Sequence, residues 1–267
     1  MKTSTRVNQI FANQLWNVLP SVLQKIVSQA ISTIYHWKIS RYFIDPFCRR
    51  YLLTAEHLQK YKPSSHEQNY SSFQDFFTRS LKIPMHIKTD AVVSPCQGYV
   101  CENGLIADLS TVLVKGNTYS VQTIFDDRNS KIAPAYNFIN IFLHNHNYHR
   151  FHSPISGTIL NIRHVPGQLN FLRPWLYKIS NVSSPSFVNE RCIIEIEDQQ
   201  QRSWFLSFVA GMGVGLIKLT DGLNIGAKLA AGDEIGCFLL GSTCCIAAPI
   251  QLKKFSYMQK IELGEDL

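Results

Sequence analysis

The hydrophobic positions follow two different periods in the two parts of the chain. In residues 8–37 the apolar residues recur every three to four positions, as Leu15, Leu19, Leu23, Ile26, Val27, Ala30, Ile31 and Ile34. This period predicts an amphipathic helix, which Pro20 divides into two, and a further helix is expected between Arg41 and Gln59. Such a helix either packs on the protein's own core or lies in a membrane interface.

A polar stretch and a short aromatic segment follow these helices. The stretch "YKPSSHEQNYSS", residues 61–72, has the composition of a linker. The next segment, "FQDFFTRSL", predicts a short helix in which Phe73, Phe76 and Phe77 share one face.

From about residue 90 the pattern changes to short β-prone runs separated by Gly, Pro, Asn and Asp, such as "FINIFLHN", "RCIIEIED", "SWFLSFVAG" and "EIGCFLLGSTCCIAAP". This spacing predicts an antiparallel sheet or sandwich. The expected fold class is therefore α+β, with N-terminal amphipathic helices before a β-rich antiparallel core. We expect residues 1–65 to form the helical segment and residues 66–267 to form the core.

The positive charge is concentrated in the N-terminal helices. Of the net charge of +7, residues 1–50 contribute +6, from seven Lys and Arg against Asp45 alone. These charges alternate with aliphatic and aromatic residues, which favours an anionic membrane surface over nucleic acid as the partner. No clean apolar run of about 18 residues and no convincing signal peptide is present, so peripheral association is expected.

Seven cysteines and a cluster of histidines are the candidate metal ligands. The odd cysteine count and the lack of C-x-x-C indicate reduced thiols in a cytosolic setting. In "HNHNYHRFHSP", His144 and His146 would share one strand face, but no acid or cysteine lies at matching spacing, so no metal is expected. His149 and His152, expected in the following loop, are better placed to act as acid or base.

The stretch "FLLGSTCC" contains Gly241 and Ser242, which form either a turn or a reactive site. The G-x-S-x-G context of a hydrolase nucleophile is absent, and "GMGVG" at residues 211–215 is not a dinucleotide-binding fingerprint. The local residues leave both possibilities open.

Six motifs, in this order along the chain, resemble the phosphatidylserine decarboxylase family of membrane-associated pyruvoyl enzymes. They are "FQDFFTRSLK", "VKGNTYSV", "YHRFHSP", "SFVNERCIIEIE", "FVAGMGVGLI" and "GDEIGCFLLGST". The resemblance extends from about residue 10 to 255, and the basic N-terminal helices resemble the membrane-facing helices of the family.

The resemblance implies that the chain makes its own cofactor. The Ser242 hydroxyl would attack the carbonyl of Gly241, with His152 as the base that takes its proton. Cleavage would leave a β chain ending at Gly241 and an α chain, residues 242–267, that begins with a pyruvoyl group derived from Ser242. The two chains would form a heterodimer, and a higher oligomer is left open.

The resemblance also implies the reaction and the location. The pyruvoyl group would form a Schiff base with the amine of phosphatidylserine and accept the electrons left by carbon dioxide, which yields phosphatidylethanolamine. His149 is the candidate for returning a proton to the α-carbon. The enzyme would lie peripherally on the cytoplasmic face of the cell membrane.

One position departs from the family pattern. The family usually carries an aspartate in a "P-A-D-G" turn, whereas the matching turn here is "SPCQG", with Gln97. Glutamine can accept a hydrogen bond from an imidazole but cannot offset its positive charge, and a comparable Asp→Asn change in serine-protease triads costs on the order of ten-thousand-fold in rate. We therefore hypothesise slow maturation, or another acid such as Glu102 or Asp90.

Three alternatives remain at this stage. Gln97 is compatible with a non-processing member of the fold that has a membrane-binding or partner-binding role. The histidine cluster is compatible with a metal-binding β-barrel. A pyruvoyl decarboxylase that acts on a soluble amino acid is the third, although the N-terminal helices argue against it.

Overall fold

The described part of the chain comprises most of the predicted elements. The computed structural model describes residues 15–65, 67–109, 112–114, 117–127, 129–176, 183–212, 217–239 and 242–267, with backbone only for 112–114 and 117–119. The predictions for residues 8–14, for residues 115–116 of "VKGNTYSV", for most of "GMGVG" and for Gly241 lie outside the described residues.

Short helices occupy the N-terminal part and β-strands the remainder. The α-helices are α1 (Ser21–His36), α2 (Ile44–Tyr51), α3 (Ala55–Leu58), α4 (Phe73–Phe77) and α5 (Ser184–Val188), and a 3₁₀ helix, Lys38–Phe43, joins α1 to α2. The strands are β1 (Tyr61–Lys62), β2 (Ser80–Leu81), β3 (Gly98–Leu105), β4 (Val112–Val114), β5 (Asn117–Tyr119), β6 (Asn137–Leu143), β7 (Arg150–His152), β8 (Gly157–Val165), β9 (Arg191–Asp198), β10 (Ser203–Ala210), β11 (Ile217–Leu219), β12 (Lys228–Leu229), β13 (Glu234–Phe238), β14 (Ser242–Ala248) and β15 (Gln259–Ile261).

The centre of the molecule is an eight-stranded antiparallel sheet. Its strand order is β12-β8-β9-β10-β14-β6-β3-β15, and a separate three-stranded sheet has the order β11-β13-β7. The run "EIGCFLLGSTCCIAAP" therefore forms two strands in two sheets, since β13 belongs to the small sheet and β14 to the large one. The α+β class predicted from the sequence is confirmed.

Both faces of the large sheet are covered by apolar side chains. One cluster includes Ile141, Trp204 and Ile246, and a second cluster on the alternate positions includes Phe138, Phe205 and Ala247. Because successive residues of a strand point to opposite faces, apolar residues on both sets of alternate positions of β6, β10 and β14 indicate strands that are buried on both sides.

Helix α1 has its polar side against the protein and its apolar side outside. Its buried residues are Gln24 and Ser28, whereas Val22 is 64% exposed and Ile26 is 55% exposed. The Gln24 amide donates to the carbonyl of Trp16 and accepts from the amide of Leu169, and so fixes this side to the core. Pro20 directly precedes the helix. The sequence alternative in which the apolar face packs on the protein's own core is wrong for α1.

The segment "FQDFFTRSL" forms the short helix that its pattern predicts. Ser72 caps α4 by accepting from the amide of Asp75. Phe73, Phe76 and Phe77 are buried and pack with the N-terminal helices through side chains that include Tyr35 and Phe47. The helical segment and the core are therefore in contact, and their separation at residue 65 stays a prediction.

Candidate active site

Ser242 lies at the centre of the large sheet and is completely buried. It is the first residue of β14, where it pairs with Ala210 of β10 and Leu143 of β6. Three residues, 239–241, separate it from the end of β13. The serine therefore lies directly after the point at which the chain passes from the small sheet to the large one.

His149 is brought to Ser242 by the turn that follows β6. Because Leu143 pairs with Ser242, the turn of residues 144–149 folds back over the start of β14. The amide of Phe238 donates to the carbonyl of His149 at 2.8 Å, and the Nδ1 atom of His149 lies 3.2 Å from the Ser242 Oγ. We call residues 239–241 the cleavage segment. Phe238 before this segment and Ser242 after it thus both contact His149.

The surroundings of His149 favour its neutral form. Its ring is fully buried and stacks on Phe77 at a centroid distance of 4.0 Å. Burial, followed by the positive charge of Arg79, lowers the pKa of His149 well below its ordinary value. With its proton on Nε2, the neutral imidazole accepts the Ser242 hydroxyl proton at Nδ1. Within the described residues, Nε2 of His149 has no hydrogen-bond partner.

His152, the predicted base, has other partners. It is the last residue of β7, and its Nδ1 donates to the carbonyl of Gly232 at 2.8 Å. Its Nε2 then accepts from the hydroxyl of Tyr148 at 3.2 Å. Burial lowers the pKa of His152, so this imidazole is also favoured in the neutral form. Both ring nitrogens are occupied, and no described contact joins His152 to Ser242.

Gln97 contacts neither histidine side chain. Its Oε1 accepts from the amide of Tyr148 at 3.1 Å, and its Nε2 donates to the carboxylate of Glu262 at 2.6 Å. The hydrogen bond that the Gln97 oxygen could accept from an imidazole is therefore absent among the described contacts. The amide instead joins the turn before β7 to the C-terminal segment.

The two acids considered as substitutes for the missing aspartate also lie away from the imidazoles. The Glu102 carboxylate accepts from the Ser183 hydroxyl, and burial raises its pKa. Asp90 is exposed. The described residues therefore contain no acid–imidazole–Ser242 relay.

Comparison with known proteins shows the family to which the chain is similar. The family model for phosphatidylserine decarboxylase matches residues 73–267. The phosphatidylserine decarboxylase proenzyme of Anoxybacillus flavithermus is 31% identical over 222 residues, 81% of this chain and 79% of the relative. That of Psychrobacter arcticus is 26% identical over 246 residues, 85% of this chain and 84% of the relative.

The chain belongs to the phosphatidylserine decarboxylase family. It is accordingly an enzyme of the decarboxylase class. The resemblance inferred from the six motifs is confirmed. The substitution of Gln97 for the usual family aspartate stays a prediction.

Two motifs of this decarboxylase family form one structural unit here. Arg79 of "FFTR" donates through Nη2 to the carbonyls of His146 and Asn147, at 3.1 and 3.0 Å. Arg150 of "YHRFH" donates through Nε to the carbonyls of Thr78 and Arg79, at 2.8 and 3.2 Å. Arg150 thus binds the backbone of "FFTR", and Arg79 binds the backbone of the turn directly before "YHRFH"; we call this pair the arginine clamp. Phe77, two residues before Arg79, stacks on His149, which directly precedes Arg150.

The remaining histidines of the cluster form an aromatic contact. His144 and His146 lie in the turn after β6, not within a strand as expected, and their ring centroids are 4.4 Å apart. Burial lowers the pKa of His144 to about 4. Among the described residues, no group of three His, Cys, Asp or Glu side chains is placed to hold a metal ion.

Sequence reasoning missed several residues of the phosphatidylserine decarboxylase site. Phe77 and Arg79 belong to the motif that identified the family, and their place in that motif was a usable signal of a role at the site. Tyr148, the partner of His152, directly precedes His149. Glu262, the partner of Gln97, has no local signal, because it lies 165 positions away in an ordinary C-terminal strand context.

Proposed function

We propose that this chain decarboxylates phosphatidylserine to phosphatidylethanolamine, using a pyruvoyl group that it generates at Ser242 by cutting itself after Gly241. The observation that carries this proposal is the contact of the buried Ser242 hydroxyl with the neutral, buried imidazole of His149. Membership of the phosphatidylserine decarboxylase family supports the substrate, and relatives named proenzymes support a processed chain.

We assign the role of base in self-cleavage to His149 rather than to His152. The Nδ1 of His149 takes the Ser242 proton as the serine oxygen attacks the Gly241 carbonyl carbon. The imidazolium then lies beside the positive Arg79 and is disfavoured, so it returns the proton readily to the departing amide nitrogen. The ester that forms is opened by loss of the Ser242 α-proton, which releases the Gly241 carboxylate, and hydrolysis removes the nitrogen as ammonia.

The residues around Ser242 fit the group that this sequence of steps would leave there. The position is completely buried at the start of a central strand. When formed, the pyruvoyl carbonyl binds the substrate amine and accepts the electrons released with carbon dioxide. His149, which is already in contact with this position, is our candidate for the group that protonates the α-carbon afterwards. His152 and Tyr148 hold the turn on which His149 is carried.

The proposal includes a heterodimer at an anionic membrane surface. Cleavage after Gly241 would leave residues 242–267 as a second chain. The outward apolar face of α1, with Val22 and Ile26, is continued by Trp37, Ile39 and Tyr42, all more than half exposed. Basic residues accompany this surface, which suits a peripheral contact with anionic lipid. No helix in the described part of the chain is long and apolar enough to cross a membrane.

Intact-mass analysis of the purified protein tests the proposal. Wild type is expected to give two fragments that meet at residues 241 and 242, the smaller carrying an N-terminal pyruvoyl group, and to release carbon dioxide from phosphatidylserine. Ser242→Ala and His149→Ala are expected to stay as a single chain, whereas His152→Asn retains measurable cleavage.

An uncleaved wild type without decarboxylase activity would overturn the proposal. That outcome would favour the alternative of a non-processing family member. The observation that supports this alternative is the lack of an acid relay at His149 among the described residues. Equal loss of cleavage in folded His152→Asn and His149→Ala, with similar thermal stability, would overturn the assignment of the base to His149.

A further inference from the structure

A polar cavity lies beside the cleavage segment. It has a volume of about 730 Å³ and opens between the α4 region and the strands β11 and β13. Leu239 lines it, two residues before Gly241. Helix α4 forms the common wall, since Gln74 faces this cavity while Phe77 of the same helix stacks on His149. We call this space the α4 pocket.

The α4 pocket contains buried polar atoms without partners. Gln74 is 3% exposed, and its Nε2 donates to the carbonyl of Leu239 at 3.1 Å. Within the described residues its Oε1 has no hydrogen-bond partner, and neither has the Oγ of Ser80, which also lines the pocket. A buried acceptor without a donor is costly unless a ligand supplies one. The Gln74 oxygen suits a ligand with an ammonium group.

Two lysines of the α4 pocket have no carboxylate partner among the described residues and can bind an anion. Among the carboxylates that line it, Asp75 accepts from Ser64, Ser65 and Ser71, and Glu234 pairs with Arg150. Asp221 lies exposed at the rim. Lys62 and Lys218 line the pocket from two sides, and within the described residues neither has a carboxylate within 4.0 Å.

We propose that the α4 pocket binds the zwitterionic phosphoserine head group of the lipid substrate. Lys62 and Lys218 hold the phosphodiester, and the Gln74 oxygen accepts from the ammonium group on its way to the Ser242 position. His36, the last residue of α1, also lines the pocket, so its mouth lies at the end of the outward apolar helix. Acyl chains can therefore stay in the membrane while the head group enters. This inference rests on the proposed function.

The kinetic test replaces the two lysines together. Lys62→Met/Lys218→Met is expected to self-cleave as wild type does and to show a KM for phosphatidylserine in detergent micelles raised about tenfold, with kcat within about twofold. The matched control is Lys253→Met/Lys254→Met, which removes the same charge from residues that line a cavity at the other end of the large sheet. An unchanged KM, or an equal rise in the control, overturns the inference.

A binding test separates the pocket from the chemistry. Ser242→Ala cannot form the pyruvoyl group, so calorimetric titration with glycerophosphoserine measures binding alone, and Lys62→Met/Lys218→Met in this background is expected to weaken it about tenfold. Equal binding in both proteins overturns the inference. Inorganic phosphate is expected to bind more weakly than glycerophosphoserine, and equal affinity overturns the head-group assignment. A wild type that neither cleaves nor decarboxylates refutes the proposed function, while this titration still decides the pocket.

Discussion

At the scale of single residues, the site depends on which atom each buried polar group contacts. His149 and His152 are three positions apart in one motif, yet only the first contacts Ser242. The second uses both nitrogens on Gly232 and Tyr148. A buried imidazole whose two nitrogens are paired serves to fix a turn, whereas one with a hydroxyl at Nδ1 and no carboxylate at Nε2 is available for proton transfer.

The pH dependence of self-cleavage follows from the lowered pKa of His149. Its folded pKa lies well below 6.5, so the imidazole stays neutral as the pH falls to 6.5. We expect the cleavage rate of freshly refolded precursor to stay level down to pH 6.5 and to fall only at lower pH, as followed by intact mass. A rate that is already halved at pH 6.5 would contradict this expectation.

The lowered pKa values of the buried histidines also predict how the free energy of unfolding changes with pH. Below pH 6.5 the unfolded chain takes up protons at His149, His152 and His144 that the folded protein does not bind, since burial lowers the pKa of all three. The free energy of unfolding therefore decreases with acid, from pH 6.5 toward the lowered pKa values, and this contribution is fully present above pH 6.5.

Gln97 forms a side-chain hydrogen bond with Glu262 and none with an imidazole, so we expect the effects of changes at these two positions to be coupled. The change Gln97→Glu keeps the acceptor for the amide of Tyr148 but places a carboxylate against Glu262. Because Glu262 is about half exposed, screening limits the loss in free energy of unfolding to about 1 kcal/mol in urea denaturation. The reversed pair Gln97→Glu/Glu262→Gln restores one amide–carboxylate contact and is expected to recover most of the loss. Strictly additive effects would show that the two side chains do not interact.

At the scale of elements, the arginine clamp joins two segments that are distant in the chain. Arg79 is fully buried, and its described acceptors are backbone carbonyls. It therefore orders the turn before His149, and its positive charge adds to the effect of burial, which is the larger cause of the lowered pKa of His149. The short helix α4 connects the clamp on one side with the α4 pocket on the other.

Helix α1 gives a prediction at the same scale. Val22→Ser/Ile26→Ser alters exposed positions and is expected to change the free energy of unfolding by less than about 0.5 kcal/mol. The variant is expected to bind vesicles of anionic lipid at least about tenfold more weakly in sedimentation, since two aliphatic side chains no longer enter the interface.

The matched control for α1 is Gln24→Ala on its opposite side. This change removes hydrogen bonds to Trp16 and Leu169 and is expected to cost about 1–3 kcal/mol of stability. Vesicle binding that is unaffected by Val22→Ser/Ile26→Ser would contradict a contact between the outward face and lipid.

At the scale of the whole molecule, the cleavage that we propose does not divide the fold. Every residue of β14 is buried, and β14 pairs with β6 on one side and β10 on the other. The C-terminal segment also supplies β15 at the edge of the same sheet. Removal of residues 242–267 would expose the middle of the core, so the two products are expected to stay associated.

Denaturation tests this association. We expect both fragments to co-elute in native buffer and to separate only in one cooperative urea transition whose midpoint rises with protein concentration, because two chains must reassociate. The uncleaved Ser242→Ala chain is the control, and its midpoint is expected to be independent of concentration. Release of the small fragment in native buffer would contradict the prediction.

Local sequence patterns were sufficient for the fold class, for the buried strands and for the helix α4, because the period of apolar residues is set by neighbours along the chain. The motifs also named Ser242, His149 and His152. Local patterns predicted the amphipathic helix of residues 21–36 but not its orientation, because periodicity shows that a face is apolar and not what that face contacts.

The tertiary structure alone decided which imidazole contacts Ser242, which residue contacts Gln97 and how one apolar run is shared between two sheets. Each of these depends on residues far apart in the chain, such as Gln97 and Glu262 or Arg79 and Asn147. Strand register brings Leu143 opposite Ser242 and so selects His149, and no residue within the histidine motif encodes that register. The sequence by itself determined the candidate reactive groups, and the packing of the sheets determined their contacts, because hydrogen bonds form between neighbours in space.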